Sequence, residues 1–268
     1  MNGSRRIRIT ALGSSFAAGP DIRPVEHLNA GRSSRNYAHQ LARRLDADLT
    51  DLSVSGATLL HVLRDKQTVG DSVFEPQLHG LRSNTTIVTM TCGGNDIDYI
   101  GRMIDQTIES LLSPQDPRVV AAAFKPPPLS LEALERRLGE VLDKIHTLAP
   151  KAKVYMVQYL SIMGKATRPC LDVVLTAENV HKFDNVALQL AKSYDDAAAS
   201  RSKWVEVIPV AEFSREHGLG SQHEWVRNCT VDMLDKDIAP YHPNLQGHTA
   251  VANMLYERIV ATNKASRL

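Results

Sequence analysis

The stretch that decides the fold is residues 6–19, RIRITALGSSFAAG. Its first half alternates polar and apolar side chains as far as Leu12, and this period of two predicts a β-strand. Gly13 ends the strand, and Ser14 and Ser15 follow it in a short turn flanked by glycines. The pattern therefore predicts a strand that runs directly into a turn, with hydroxyl groups at the strand's carboxyl end.

The same succession of a short β-rich run and a helical pattern recurs along the chain. Further strands are predicted at 48–54, 85–91, 154–157 and 204–210, and helices at 34–45, 96–112, 131–149, 177–200 and 244–261. Alternating strands and helices, with nearly all-apolar strands, are typical of a parallel sheet covered by helices on both faces. The sequence therefore predicts the α/β class: a three-layer α/β/α sandwich with a mostly parallel five-stranded sheet, in a single domain over residues 1–268.

The composition excludes several classes of protein. The chain has 268 residues, with 31 Lys and Arg against 30 Asp and Glu, so its formal net charge is +1. This balance gives no electrostatic reason to expect a surface that follows a phosphate backbone. No run of residues approaches the roughly 18 consecutive apolar residues of a membrane span. We therefore expect neither a nucleic-acid partner nor integral membrane association, and the sequence leaves the oligomeric state open.

Cysteines and histidines give no indication of a metal site. Cys92, Cys170 and Cys229 show no C-x-x-C or similar ligand spacing, so we expect no metal and no cofactor. Reduced thiols are the preferred interpretation, while a Cys170–Cys229 disulfide stays open. Three histidines are interpreted as packing or solvent-facing groups: His217, His223 and His248.

The ends of the chain bear on localisation. Residues 1–6 contain a basic pair but no apolar core after it, which favours a cytoplasmic protein over a secreted one. Secretion stays open if an amino-terminal signal has been removed. Residues 266–268, Ser-Arg-Leu, are similar to the peroxisomal S-K-L address, which would matter only in a eukaryote.

The loops after the first three predicted strands are the places to look for chemistry. Ligands of open parallel sheets bind outside the carboxyl ends of the strands. Ser15 there could act as a nucleophile once a base removes its proton, although a serine at a helix start is often only a cap. Gly56 offers a backbone N–H, and Asn95 an amide donor suited to an oxyanion hole; the alternative for Asn95 is an Asx-type cap. Asp96 is assigned to local capping.

A candidate base stands near the other end of the chain. His242 precedes Pro243, which fixes the backbone, and Asn244, which can cap the last predicted helix. A histidine held on such a loop has the properties of a general base, because its pKa is already close to neutrality. The alternative is an ordinary surface histidine.

Four ordered blocks together resemble the SGNH (GDSL-like) hydrolase superfamily, and especially actinobacterial lipase- and phospholipase-like esterases. Residues 13–19 are similar to the block G-D-S-x-x-x-G, Gly56 to the second block, residues 93–96 to G-x-N-D, and residues 242–244 to the last block. The resemblance implies a carboxylic-ester hydrolase in which Ser15 forms an acyl-enzyme and His242 accepts its proton. It also implies an oxyanion hole built from the N–H groups of Ser15 and Gly56 and the amide of Asn95, and a small-molecule or lipid-like ester as substrate.

The chain departs from the superfamily pattern at two positions. Ser14 stands where the first block has Asp, which is not the acid of the catalytic triad. The last block is usually D-x-x-H, but Ala239 lies three residues before His242. The preferred hypothesis is a Ser–His dyad in which a backbone carbonyl within residues 239–241 orients the imidazole; Asp237 as the triad acid is the alternative.

Two further functions stay open on the same residues. An acyltransferase would pass the acyl group from Ser15 to an alcohol instead of water. A catalytically inactive binding module would keep the fold and lose the chemistry. Acyl-chain length and the alcohol partner cannot be read from the sequence.

Overall fold

A computed structural model describes residues 6–122 and 127–265. The strands are β1 (Arg8–Gly13), β2 (Val25–His27), β3 (Arg32–Ser33), β4 (Asp48–Asp51), β5 (Gln67–Val69), β6 (Ser72–Phe74), β7 (Ile87–Thr91), β8 (Lys153–Val157) and β9 (Val205–Ile208). The helices are α1 (Ser15–Ala18), α2 (Tyr37–Leu45), α3 (Leu59–Leu63), α4 (Tyr99–Leu111), α5 (Pro117–Ala122), α6 (Leu131–Leu148), α7 (Ala177–Ala199), α8 (Val210–Ser214), α9 (Val231–Asp235) and α10 (Leu245–Ala265). Short 3₁₀ turns occupy Gln77–Gly80 and Arg215–His217.

Five parallel strands form the central sheet, in the order β4-β1-β7-β8-β9. β1 lies between β4 and β7, with Gly13 opposite Thr91 at the carboxyl end. Helices cover both faces: α2 packs against α10, and α6 packs against α7. The predicted three-layer α/β/α class is confirmed, and every strand pairing in this sheet is parallel. The assignment of the whole chain to one domain stays a prediction.

The apolar periodicities of the sequence correspond to the buried faces. Every residue of β7 is buried, as expected for a strand with helices on both sides. In α6, Leu134, Leu138 and Leu142 are fully buried and repeat at helical spacing. Ser130 caps α6, since its side chain accepts a hydrogen bond from the Ala133 N–H.

Several predicted boundaries were wrong by a few residues. The helix predicted over 34–45 begins at Tyr37, and its cap is Asn36, whose side chain accepts a hydrogen bond from the His39 N–H. The strand predicted over 48–54 ends at Asp51, and the one over 204–210 ends at Ile208. The helix predicted from residue 96 begins at Tyr99. Local side-chain hydrogen bonds and turns, which a periodicity does not report, set these ends.

Two antiparallel hairpins were not predicted from the sequence. β2 pairs with β3 in the connection between α1 and α2, and β5 pairs with β6 in the connection between α3 and β7. Asn29, between β2 and β3, donates to Asp71 and Ser72 at the tip of the second hairpin, so the two hairpins contact each other. They extend the carboxyl side of the sheet around the loop that contains Gly56.

No helix in the described ranges is both long and apolar enough to cross a membrane. The two terminal features that bear on localisation, the start of the chain before Arg6 and the terminal Ser-Arg-Leu at 266–268, lie outside the described residues.

Candidate active site

The nucleophile candidate sits at the junction of β1 and α1. Gly13 has φ +140°, and a Cβ placed on it would lie 2.2 Å from the carbonyl oxygen of Thr91, so only glycine fits this turn. The Ser14 N–H donates to the same Thr91 carbonyl at 2.9 Å. Ser15 is the first residue of α1 and is buried. The sharp turn places the Ser15 hydroxyl at the carboxyl edge of the sheet.

His242 contacts that hydroxyl directly. Its Nε2 lies 2.8 Å from Ser15 Oγ, and its Nδ1 lies 2.7 Å from the carbonyl oxygen of Pro240. A carbonyl oxygen can only accept, so Nδ1 carries the proton, and the lone pair of Nε2 faces the hydroxyl. The structure thus brings together two residues that are 227 positions apart in the sequence.

Burial determines the protonation state of this imidazole. Desolvation lowers the pKa of His242 to about 4; the hydrogen bond to the Pro240 carbonyl opposes that change and the positive charge of Arg227 adds to it. His242 is therefore neutral at physiological pH, as a group that must accept a proton requires.

Asp237 does not contact His242. It is exposed, in the turn that follows α9, with φ +51°. Among the described residues, no carboxylate lies within hydrogen-bonding distance of either ring nitrogen of His242; the ring contacts the Pro240 carbonyl and Ser15. The geometry agrees with a backbone carbonyl as the orienting group.

The segment that contains Arg227 holds the loop of residues 239–242, the histidine loop, in place. The Arg227 N–H donates to the His242 carbonyl at 2.9 Å, and the Tyr241 N–H donates to the Arg227 carbonyl at 3.1 Å. The Arg227 side chain then donates through Nη2 to the Pro20 carbonyl at 2.8 Å. Arg227 therefore joins the histidine loop to the segment that follows the nucleophile helix.

The two other predicted oxyanion donors lie in neighbouring loops that contact each other. Gly56 is in the turn after β4, with φ +78°. Asn95 follows β7 and donates one amide N–H of its side chain to the Ala57 carbonyl at 2.8 Å, so it does not act as a cap for the next helix. This hydrogen bond fixes the Asn95 amide beside the Gly56 turn.

The local capping role predicted for Asp96 was wrong. Its Oδ2 accepts from the Leu59 N–H at 2.9 Å, and its Oδ1 accepts from Arg137 Nη1 at 2.9 Å. Asp96 therefore satisfies the start of α3, a helix that lies earlier in the chain, and pairs with α6. Burial raises the pKa of this carboxyl, and the hydrogen bonds from Leu59 and Arg137 oppose that change.

Three buried side chains that the sequence analysis missed clamp the backbone around the site. Gln77 accepts from the Gly13 N–H at 2.8 Å and donates to the Gly13 carbonyl at 2.9 Å. The Tyr194 hydroxyl accepts from the Cys92 N–H and donates to the Cys92 carbonyl. The Tyr159 hydroxyl lies 3.0 Å from Ser14 Oγ and accepts from the Gly94 N–H. No sequence signal marks these contacts, which join positions 64 to 145 residues apart.

Ser14 occupies the position at which the superfamily block has Asp. Through Tyr159 it connects the nucleophile turn to the loop that contains Asn95. Ser14 therefore makes a side-chain hydrogen bond at the position where the superfamily block has Asp.

The three histidines that the sequence assigns to packing or to solvent are found in such places. His248 is buried, accepts from the Tyr37 N–H through Nδ1 at 3.1 Å and stacks on the Tyr37 ring. Burial lowers its pKa to about 3. His217 stacks on Trp225, and His223 is exposed. None of the three contacts Ser15 within the part of the chain that the structure describes.

One cluster away from the site brings metal-ligating atoms together. Side-chain atoms of Glu26, His39 and Asp51 lie within 4.8 Å of one another. The Asp51 carboxylate, however, already accepts from the backbone N–H and the hydroxyl of Ser53 and from the Asn36 amide. Both oxygens of the Asp51 carboxylate therefore have hydrogen-bond partners within the protein.

The three cysteines are free thiols. Cys92 and Cys229 are buried, whereas Cys170 is exposed. The Cys170–Cys229 disulfide that the sequence left open is not formed.

The fold and this arrangement of serine, histidine and backbone donors define a class of serine esterases. The chain belongs to the GDSL-like Lipase/Acylhydrolase family, whose profile matches residues 11–250. This agrees with the SGNH resemblance that the four sequence blocks carry.

Three of the similar proteins come from Streptomyces species. The chain is 23% identical to an esterase of Streptomyces scabiei across 92% of this chain and 84% of that protein. A stretch of 88 residues, 32% of this chain, is 40% identical to Lipase 2 of Streptomyces coelicolor and spans only 28% of that lipase. The crystal structure of phospholipase A1 from Streptomyces albidoflavus superposes with a TM-score of 0.73, at 23% identity, over 94% of this chain and 99% of that chain. The structural likeness shows a shared fold.

Proposed function

We propose that the protein is a carboxylic-ester hydrolase that works through a Ser15–His242 dyad. The observation that carries the proposal is the 2.8 Å contact between Ser15 Oγ and a neutral, buried imidazole whose other nitrogen is held by the Pro240 carbonyl. A serine hydroxyl becomes an effective nucleophile when an adjacent base takes its proton.

The reaction follows from this geometry in two halves. Ser15 Oγ attacks the ester carbonyl carbon while His242 Nε2 takes the hydroxyl proton, and the imidazolium then protonates the departing alcohol. Water, deprotonated by the same nitrogen, attacks the acyl-enzyme and releases the acid. The Pro240 carbonyl stabilises the transient imidazolium through its hydrogen bond to Nδ1–H.

The oxyanion of each tetrahedral intermediate would be held by the N–H groups of Ser15 and Gly56 and the amide of Asn95. The Ser15 N–H stands at the start of α1, and Asn95 has one N–H committed to the Ala57 carbonyl, with the second remaining for the intermediate. Removing one such donor typically lowers turnover about 10²–10³-fold.

The substrate that we propose is a small-molecule or lipid-like carboxylic ester. Support comes from family membership and from the Streptomyces relatives that are named lipase, esterase and phospholipase A1. One of the similar solved structures is described as an extracellular lipase. For this protein we propose two alternatives, secretion or a cytoplasmic location.

Covalent labelling tests the proposed nucleophile. A fluorophosphonate probe is expected to label the wild-type protein at Ser15 and to leave Ser15→Ala unlabelled, and a series of p-nitrophenyl esters of increasing chain length should identify the acyl preference. A folded wild-type protein that is neither labelled nor active would favour the inactive binding module. Labelling with transfer of the acyl group to an added alcohol, and little release of free acid, would favour the acyltransferase.

A further inference from the structure

The turn that contains Gly56 has a defined type. The Ala57 N–H donates to the Val54 carbonyl at 3.1 Å, which closes a four-residue β-turn. Gly56, at the third position, has φ +78°, while Ser55 at the second position does not have a positive φ. A hydrogen-bonded turn with positive φ only at its third residue is a type II turn.

Type I and type II turns differ in the orientation of their central peptide. Here that peptide joins the Ser55 carbonyl to the Gly56 N–H, and in a planar trans peptide these two groups point in opposite directions. A rotation of the central peptide to type I would therefore reverse the direction of the Gly56 N–H. The orientation of the Ser55 carbonyl decides whether that N–H can serve as a donor in the site.

Gln67 holds the Ser55 carbonyl. It is the first residue of β5, and its Nε2 donates to Ser55 O at 2.7 Å. The Ser55 N–H donates to the Ala30 carbonyl at 2.8 Å, so the β2–β3 connection fixes the preceding peptide as well. Both hairpins thus contact the turn that contains Gly56.

Gln67 is a buried amide next to the turn that contains Gly56. The residue is 7% exposed, and its Oε1 is buried without a hydrogen-bond partner among the described residues. An apolar side chain of similar size would avoid that desolvation penalty. Within the described ranges, the side-chain amide of Gln67 makes one hydrogen bond, and that bond holds the Ser55 carbonyl.

We propose that Gln67 is a positioning residue of the oxyanion hole: by holding the Ser55 carbonyl it keeps the turn in type II and the Gly56 N–H directed at the reacting ester. The proposal rests on the proposed function, in which Gly56 is an oxyanion donor. Gln67 itself touches neither substrate nor Ser15.

Steady-state kinetics of Gln67→Leu test the proposal, with Thr68→Val, an exposed neighbour on the same strand, as the matched control. Gln67→Leu is expected to lower kcat for a p-nitrophenyl ester about 10- to 100-fold, with KM within about twofold of wild type. This decrease in kcat is smaller than the one that removal of a complete oxyanion donor causes. Thr68→Val should keep both constants. An unchanged kcat in Gln67→Leu would overturn the proposal.

A thiono ester distinguishes positioning from general destabilisation. Sulfur is a weak hydrogen-bond acceptor, so a well-formed oxyanion hole favours the oxygen ester over its thiono analogue. The ratio of the two rates should fall in Gln67→Leu and stay at the wild-type value in Thr68→Val. A loss of kcat that follows the loss of folded protein, with the ratio unchanged, would assign Gln67 a structural role only.

Gln67→Glu provides a second test if the leucine variant does not fold. An ionised carboxylate repels the Ser55 carbonyl, whereas a protonated carboxyl can donate to it. The kcat of Gln67→Glu relative to wild type should therefore recover as the pH falls from 8 to 5, and a pH-independent ratio would contradict the proposal. If the wild-type protein itself shows no hydrolysis and no Ser15 labelling, the proposed function fails first; an active wild type with an unaffected Gln67→Leu refutes only this inference.

Discussion

At the scale of the residue, the protonation of His242 depends on its surroundings more than on a partner charge. The imidazole is buried, faces Ser15 with one nitrogen and the Pro240 carbonyl with the other, and has no carboxylate within hydrogen-bonding distance among the described residues. A carbonyl dipole fixes the tautomer as a carboxylate would, but it compensates the charge of the imidazolium less.

The role of Asp237 can be tested with a near-isosteric change. Asp237→Asn is expected to keep kcat and KM close to wild type, because the side chain is exposed and the Pro240 carbonyl already orients His242. His242→Ala, measured in the same ester assay, should lower kcat by at least about 10³-fold, since it removes the base. A collapse of kcat in Asp237→Asn would show that the carboxylate turns inward and completes a triad.

The pH dependence of kcat/KM should report the lowered pKa of His242. The base acts only when neutral, so activity is lost as the pH falls through its pKa; with that pKa at about 4, the acid limb should lie near pH 4 instead of near 6.5. The measurement is a pH–rate profile, with activity regained on return to pH 7 as the control for unfolding. An acid limb between pH 6 and 7 would contradict the desolvation argument.

At the scale of the element, buried polar side chains connect the loops that form the site. Backbone groups at the carboxyl ends of β1 and β7 bond the side chains of Gln77, Tyr159 and Tyr194. Asp96 joins α3 to α6. These side chains supply hydrogen-bond partners to backbone groups near the site. The precision of the site therefore depends on side chains that never touch the reacting atoms.

The ion pair between Asp96 and α6 should contribute strongly to stability. Arg137→Met removes the guanidinium and leaves a carboxylate that is fully buried, so we expect a loss of about 3 kcal/mol in the free energy of unfolding. Arg136→Met, at the exposed neighbouring position of α6, should change it by less than about 0.5 kcal/mol. Denaturant unfolding of both variants is the measurement, and equal stabilities would refute the assignment.

The sequence predicted the strands and helices with strong periodicity and missed those with little. β1, β7 and α6 have clear patterns because they face a core, whereas β2 and β5 are three residues long, and β2 is exposed throughout. The sequence proposes Ser15, Gly56, Asn95 and His242 as candidates because of their places after strands or before a helix. Gln67, Gln77, Tyr159 and Tyr194 were not, because their roles come from contacts between distant parts of the chain.

At the scale of the whole molecule, two buried neutral histidines make stability depend on pH. The pKa values of His242 and His248 are lowered to about 4 and about 3 in the folded chain, against 6.5 in an unfolded one. Below pH 6.5 the unfolded state binds protons that the folded state does not, so stability falls with falling pH. Between pH 6.5 and 4.5 each histidine should remove about 2 kcal/mol.

His248→Asn isolates one of these two groups. The Asn oxygen can take the place of Nδ1 as the acceptor for the Tyr37 N–H, and the variant has no proton to gain. Its free energy of unfolding should fall by about 2 kcal/mol less than that of wild type between pH 6.5 and 4.5. Unfolding curves at several pH values give both slopes, and parallel slopes would exclude His248 as a contributor.

The separation of Ser15 from His242 along the chain has a consequence during synthesis. Ser15 and His242 are 227 positions apart in the sequence, so a polypeptide synthesised only as far as Pro240 has the serine hydroxyl without the imidazole that contacts it in the folded chain. We expect the contact between the two side chains to form only after the ribosome has released the segment that contains His242 and α10 has packed against α2.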